Sequence, residues 1–348
     1  MKAPFVWFGG KRRVAPEVWA ALGDVPSYVE PFAGSLAVLL GRPSSHLNRS
    51  TARLETVNDA DGFVVNAWRA IAADPEQVAE FCDWPVNETD LLARHLWLVN
   101  SGRSALINGL EADPHFFDAK VAGWWLWGVN AWIGSGWCSG DGPWMADTDG
   151  VIRKRPDNPA GQGVKRQRPH LGTAGAGVHR QRPHLGTAGK GVHRERDGLH
   201  RYMAELSARL RRVRVCAGDW SRVVTDGALS TGSTVGVFLD PPYLGDVRTA
   251  DLYRVDDHTI SDDVREWCLA NGDNPRYRIV LAGYTTEHDD LIPDTWQRHY
   301  WSAAASYQTA SSAVSDGGNQ ENRHTECLWM SPHCDIVDEQ LAMFGVDQ

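Results

Sequence analysis

The sequence has little cysteine, no long apolar run and no surplus of positive charge, and each shortage narrows what it can be. Its six cysteines, Cys82, Cys138, Cys216, Cys268, Cys327 and Cys334, are scattered through 348 residues without a Cys-x-x-Cys pair. Thiols so spaced fit neither a disulfide framework nor a structural zinc site, and they predict reduced, mostly structural side chains. The histidines show no ligand spacing either, so no metal is expected. Nothing approaches the ~20 consecutive apolar residues of a membrane span, and the opening MKAPFVWFGGKRR lacks the apolar run of a signal peptide. An intracellular, cytoplasmic protein with no membrane partner is the expectation. No Gly-x-Gly-x-x-Gly follows the first strand-like run, which argues against a nicotinamide-dependent oxidoreductase.

What is present is an ordinary globular composition, 42% hydrophobic and 23% charged, with an uneven distribution of charge. The formal net charge is -9, yet twelve Lys and Arg face only three acids between Val151 and Arg201. That segment is nine positive and the remainder eighteen negative, and a local basic segment matters more for a polyanion than the total.

The first part, to about Asp74, has a βαβ-like rhythm. A short helix is predicted over Arg13–Leu22, then a strand at Ser27-Tyr-Val-Glu running into Pro-Phe-Ala-Gly. Another helix is predicted over Ser35–Leu40, a strand end at Thr56-Val-Asn-Asp and an amphipathic helix over Gly62–Ala73. This succession favours a doubly wound sheet with its ligand beyond the strand carboxyl ends. From Pro75 to about His200 the character changes. Trp97, Trp124, Trp125, Trp127, Trp132, Trp137 and Trp144 crowd there, in an apolar stretch that suits core packing more than stacking on a ligand. A 14-residue repeat follows: GVKRQRPHLGTAGA from Gly163, GVHRQRPHLGTAGK from Gly177, and a partial copy from Gly191. Its glycines and prolines oppose a helix and suggest a loop system or β-ribbon. The α/β pattern then resumes, with a helix over Tyr202–Val213, a buried strand at Val235-Gly-Val-Phe-Leu and a helix over Ser261–Ala270. Strands at Arg278–Ala282 and Glu326-Cys-Leu-Trp-Met complete it.

The strongest chemical signal is Asp240-Pro241-Pro242-Tyr243, directly after the apolar strand. Two prolines remove two donors and fix φ, so the loop is stiff and presents acceptors. An acceptor carboxylate, a fixed carbonyl and an aromatic face suit a planar base bearing an amino group. Tyr28-Val-Glu30-Pro31-Phe32-Ala33-Gly34-Ser35 is a strand entering a small-residue turn where a ligand can approach the backbone. Asn58-Asp59 lies about one βα unit downstream, where an acid can hold ribose hydroxyls. Trp7-Phe8-Gly9-Gly10-Lys11 precedes all three.

In this order the four segments resemble the Dam-type N6-adenine DNA methyltransferases, over roughly residues 4–72 and 203–331, including the closing Arg323-His-Thr-Glu-Cys-Leu-Trp. The resemblance implies a Rossmann-like class I methyltransferase sheet with helices on both faces and an inserted target-recognition domain. It divides the chain into a first part of the body (1–75), the insertion (76–201), a second part (202–335) and a tail (336–348). It implies S-adenosyl-L-methionine as cofactor, with Trp7, Lys11, Glu30, Phe32, Gly34, Asp59 and Asp240 around it. Asp240, Pro241 and Tyr243 would grip the adenine as the catalytic set. Two positions depart from the family pattern. Leu36 stands where a second small residue is usual, and Glu30 replaces the commoner Asp.

The expected partner is duplex DNA with an adenine flipped out, met by a monomer in a bacterial or phage-infected cell, as in a stand-alone restriction-modification or phage enzyme. Arg166, Arg168, Arg180, Arg182 and Arg194 of the repeats are the candidate DNA contacts. Cytosine C5 chemistry would need a thiolate in a Pro-Cys turn, and no such dipeptide occurs. Adenine in RNA, cytosine N4, or a non-catalytic DNA-binding protein with a decayed methyltransferase body are the alternatives.

Overall fold

A computed structural model describes residues 1–5, 7, 10–47, 54–132, 137–138, 144–146, 152–154, 192–230, 233–242, 260–301 and 326–335, with backbone alone at 144–146, 152–154 and 192–197. Its centre is a seven-stranded sheet. The strands are β1 (Ser27–Glu30), β2 (Leu54–Asp59), β5 (Val213–Ala217), β6 (Val235–Leu239), β7 (Tyr277–Tyr284), β8 (Gln297–Trp301) and β9 (Glu326–Met330). A separate antiparallel ribbon pairs β3 (Trp144–Ala146) with β4 (Ile152–Lys154). The sheet runs β5-β2-β1-β6-β7-β9-β8. Its β5/β2, β2/β1, β1/β6 and β6/β7 pairs are parallel, and β9 runs antiparallel to both neighbours. Ranked by chain order, the first five positions follow the 3-2-1-4-5 arrangement of doubly wound sheets.

Both faces of the sheet are covered, and alternation along each strand divides them. Phe238, Val280, Ala282, Leu328 and Met330 face one core, while Val237, Leu239, Ile279, Leu281, Cys327 and Trp329 face the other. Burial on two sides explains why β6 is a continuous apolar run rather than an alternating one. The helices begin where short polar side chains satisfy their first amides. Asp61 accepts from Phe63 N at 2.8 Å ahead of Gly62–Ala73, and Asp118 from Val121 N at 2.9 Å ahead of Ala119–Ala131. Among the described residues, no helix is long and apolar enough to cross a membrane.

The segment after Asp74 is built into this body. Val78, Ala79 and Cys82 of the helix Pro75–Cys82, with Val121, Ala122, Trp125 and Leu126 of Ala119–Ala131, belong to the same core as Val64, Trp68 and Phe238. Gly123 makes the crossing of these two helices possible: a Cβ there would stand 3.0 Å from the Val78 carbonyl oxygen and collide with Phe81. Trp125 and Trp127 are 3% and 1% exposed, and Trp97, Trp124 and Trp137 pack partly buried against the same core, so these five are packing groups. The helix expected to begin at Tyr202 starts ten residues earlier and spans Val192–Leu210. Leu199, Met203, Leu206 and Leu210 form its buried stripe at helical spacing. The repeats at 163–190 lie outside the described residues.

Candidate active site

The direction of the chain reverses at β1. Its downstream crossover leads to β2 on one side, while β6 enters on the other, so the carboxyl ends of β1 and β6 flank the point where open α/β sheets place a ligand. Glu30 ends β1 and Asp240 follows β6.

The turn after β1 is fixed from three directions. Gly34 has φ 44°, a conformation that disfavours a side chain. Its N–H donates to Asp59 Oδ2 at 2.8 Å, and its carbonyl accepts from Trp68 Nε1 at 2.8 Å. A Cβ on Gly34 would meet Trp7 Cδ1 at 2.6 Å and Nε1 at 2.8 Å, so the indole lies against bare backbone. Trp7 is held there by Phe5, edge-on at 5.8 Å between ring centres, and by Trp125 at 6.2 Å. Two residues on, Leu36 also has a positive φ, 53°, and is fully buried. The turn therefore keeps the left-handed geometry that suits a small residue, while the leucine side chain points into the core.

Asp59 closes β2. Oδ2 holds Gly34, and Oδ1 accepts from Asp61 N at 2.9 Å. Burial, helped by the charge of Asp61, raises its carboxyl from the ordinary 3.8 to about 7. Its neighbour Asn58, 1% exposed, donates to the carbonyls of Pro31 at 3.1 Å and Gly218 at 2.9 Å. One amide thus links the ends of β1, β2 and β5. Asn58 Oδ1 is buried and has no hydrogen-bond partner among the described residues. Beside this junction Phe32 stacks on Trp220, with ring centres 6.1 Å apart and planes at 26°.

On the β6 side, Pro241 and Pro242 are buried. Lys11 Nζ lies 3.0 Å from Asp240 Oδ1 and 3.5 Å from Glu326 Oε2, with its side chain only 4% exposed. Glu30, expected among the cofactor contacts, is engaged inside the protein. It accepts from Tyr28 Oη at 2.9 Å and Leu39 N at 3.2 Å. Burial raises it from 4.5 to about 8, and the charges of Asp240 and Glu55 push the same way against those two hydrogen bonds.

Of the residues singled out in the sequence, Trp7, Gly34 and Asp59 form one contiguous group and Lys11 and Asp240 another. Phe32 and Glu30 lie at the β1 end between them. Tyr243 and the arginines at 166, 168, 180 and 182 lie outside the described residues, and Arg194 is described only as backbone within the helix Val192–Leu210. Sequence reasoning named Asn58 and Glu326 within their motifs but gave neither a role of its own, and it passed over Trp68 and Trp220. Glu326 stands in the closing Arg323-His-Thr-Glu-Cys-Leu-Trp and opens an otherwise apolar strand, with nothing local to mark Lys11 as its partner. Among the described residues, no group of three or more His, Cys, Asp or Glu is placed to hold a metal ion. No family model and no curated protein matches the chain.

Proposed function

We propose that this chain transfers a methyl group from S-adenosyl-L-methionine to the N6 amine of adenine in DNA. The observation that carries the reading is the stiff Asp240-Pro241-Pro242 step at the sheet's switch point, with its carboxylate ion-paired to Lys11 and the Gly34 turn on the adjacent strand. The cofactor fits the groups present. Asn58 Oδ1 is a buried acceptor awaiting a donor, which ribose hydroxyls or an adenine amine supply. Half-buried Phe32, stacked on Trp220, brings an aromatic side chain to the same strand end, and Asp59 stands where a ribose is held in nucleotide-binding α/β sheets. Bound there, S-adenosylmethionine supplies an electrophilic methyl group on a sulfonium.

The adenine amine is a weak nucleophile because its lone pair is delocalised into the ring. The Asp240 carboxylate and the Pro241 carbonyl each accept a hydrogen bond from it. This draws the nitrogen toward tetrahedral geometry and frees the lone pair to form the new N–C bond as the methyl's bond to sulfur breaks, and the surplus amine proton is then released to solvent. Lys11 orients Asp240 through their ion pair, so catalysis is positioning and electrostatics. A base inside a duplex is out of reach, so the adenine is extruded at a cost of a few kcal/mol. Tyr243 stacking offsets part of that cost, and the arginines of the repeats grip the phosphates.

The test is to incubate the chain with methyl-labelled S-adenosylmethionine and duplex DNA, single-stranded DNA or RNA, then digest to nucleosides. Label in N6-methyldeoxyadenosine is expected. Label in N4-methylcytosine or in RNA alone rejects the substrate assignment. Absence of S-adenosylmethionine binding by calorimetry identifies a decayed body.

A further inference from the structure

Glu326 has no part in the chemistry just described, yet it is 6% exposed and aimed at the same lysine as Asp240. It opens β9, paired in register with Tyr284 of β7 and Trp301 of β8. Through Lys11 Nζ it joins the amino-terminal segment, the loop after β6 and the antiparallel strand. The Lys11 ammonium thus bridges two carboxylates, one following β6 and one opening β9.

We infer that Glu326 is a positioning residue for Asp240. By taking part of the ammonium's donor capacity at 3.5 Å, it keeps Lys11 from collapsing onto Asp240. The Lys11 contact stays at Oδ1, 3.0 Å away, and the carboxylate keeps its strength as an acceptor for the amine. Without the Glu326 charge, Lys11 neutralises Asp240 more completely and draws it out of line. The role rests on the adenine-methylation reading.

The experiment is a double-mutant cycle, which isolates an effect transmitted through a shared partner. Glu326→Gln in the wild-type background is expected to lower kcat for methyl transfer about 10-fold or more, with KM for S-adenosylmethionine and Kd for DNA changed by less than about 3-fold. In a Lys11→Gln background the same substitution is expected to change the residual kcat by less than about 2-fold. Glu326→Asp keeps the charge and withdraws it by one methylene, and it is expected to retain more kcat than Gln. If Glu326→Gln does not fold, Glu326→Asp takes its place in the cycle, and its kcat loss is expected in the wild-type background and not in the Lys11→Gln background. Equal kcat in wild type and Glu326→Gln, the same fractional loss in both backgrounds, or a loss in Asp as deep as in Gln overturns the positioning role. A wild-type chain that methylates no adenine overturns the functional reading, and the Glu326 role with it. An active wild type with an additive cycle overturns the Glu326 role alone.

Discussion

At Gly34 a single hydrogen atom separates the backbone from an indole. Its φ of 44° and the 2.6 Å that a Cβ would leave to Trp7 Cδ1 both act against any side chain. Gly34→Ala is predicted to lower stability by about 1–3 kcal/mol through αL strain and displacement of Trp7. It should also weaken S-adenosylmethionine binding at least about 10-fold, since about 1.4 kcal/mol of distortion at the site already costs that much. Calorimetry and thermal melting check both, and unchanged binding would show that this turn does not carry the cofactor. At Leu36 two effects compete. Replacing it by glycine relieves about 1 kcal/mol of left-handed backbone strain but empties a fully buried side-chain site worth about 2–5 kcal/mol. Burial wins, so Leu36→Gly should melt lower. A rise in melting temperature would mean that strain dominates. Glu30 makes a prediction about pH. Its carboxyl is raised to about 8 by burial, so the folded state holds that proton more tightly than the unfolded chain. The resulting stability is fully present below about pH 4.5 and is lost as pH rises through about 8. Glu30→Gln, which cannot titrate, should show a flatter melting temperature between those values, and parallel curves would contradict the assignment.

Among the elements, β6, β7 and β9 were legible because both faces of each are covered and most of their residues are apolar, while β1, Ser27-Tyr-Val-Glu, was marked by the small-residue turn it runs into. β5 and β8 were not. They are the two edges of the sheet, half-exposed along most of their length, and Arg214, Arg298 and His299 break the apolar pattern that marks an interior strand. The helix Val192–Leu210 was found only from Tyr202 because Gly198 and a run of charge obscure the apolar spacing of Leu199, Met203, Leu206 and Leu210. The tryptophan-rich stretch was set apart as an insertion by composition, yet its helices complete the core of the sheet. The reason lies in paired surfaces that no local periodicity displays, such as Gly123 under Phe81. Gly123→Ala should push Pro75–Cys82 and Ala119–Ala131 apart and cost about 2–4 kcal/mol by overpacking, more than the ordinary helix gain of about 1 kcal/mol from Gly→Ala. A variant melting above the wild type would show that the crossing has room to spare. Within the site, the aspartate-proline step and the Gly34 turn announce themselves locally. The Lys11–Glu326 pairing spans more than 300 residues and becomes visible only when the sheet is assembled.

For the whole molecule the governing feature is charge segregation. A body with an acidic excess carries a segment, Val151–Arg201, with twelve bases against three acids. A polyanion is expected to meet that segment first and the carboxyl ends of the central strands second. Replacing Arg166, Arg168, Arg180 and Arg182 together by alanine should flatten the slope of log affinity against log salt by up to about 4 × 0.9 if each binds one phosphate. An unchanged slope would place DNA contact elsewhere. The most direct test of the central claim is methyl transfer by Asp240→Ala, measured with tritiated S-adenosylmethionine on duplex DNA alongside DNA binding. Glu326 still partners Lys11 in that variant, so the protein should fold and bind DNA normally while transfer falls to background. Wild-type transfer by Asp240→Ala would contradict the account.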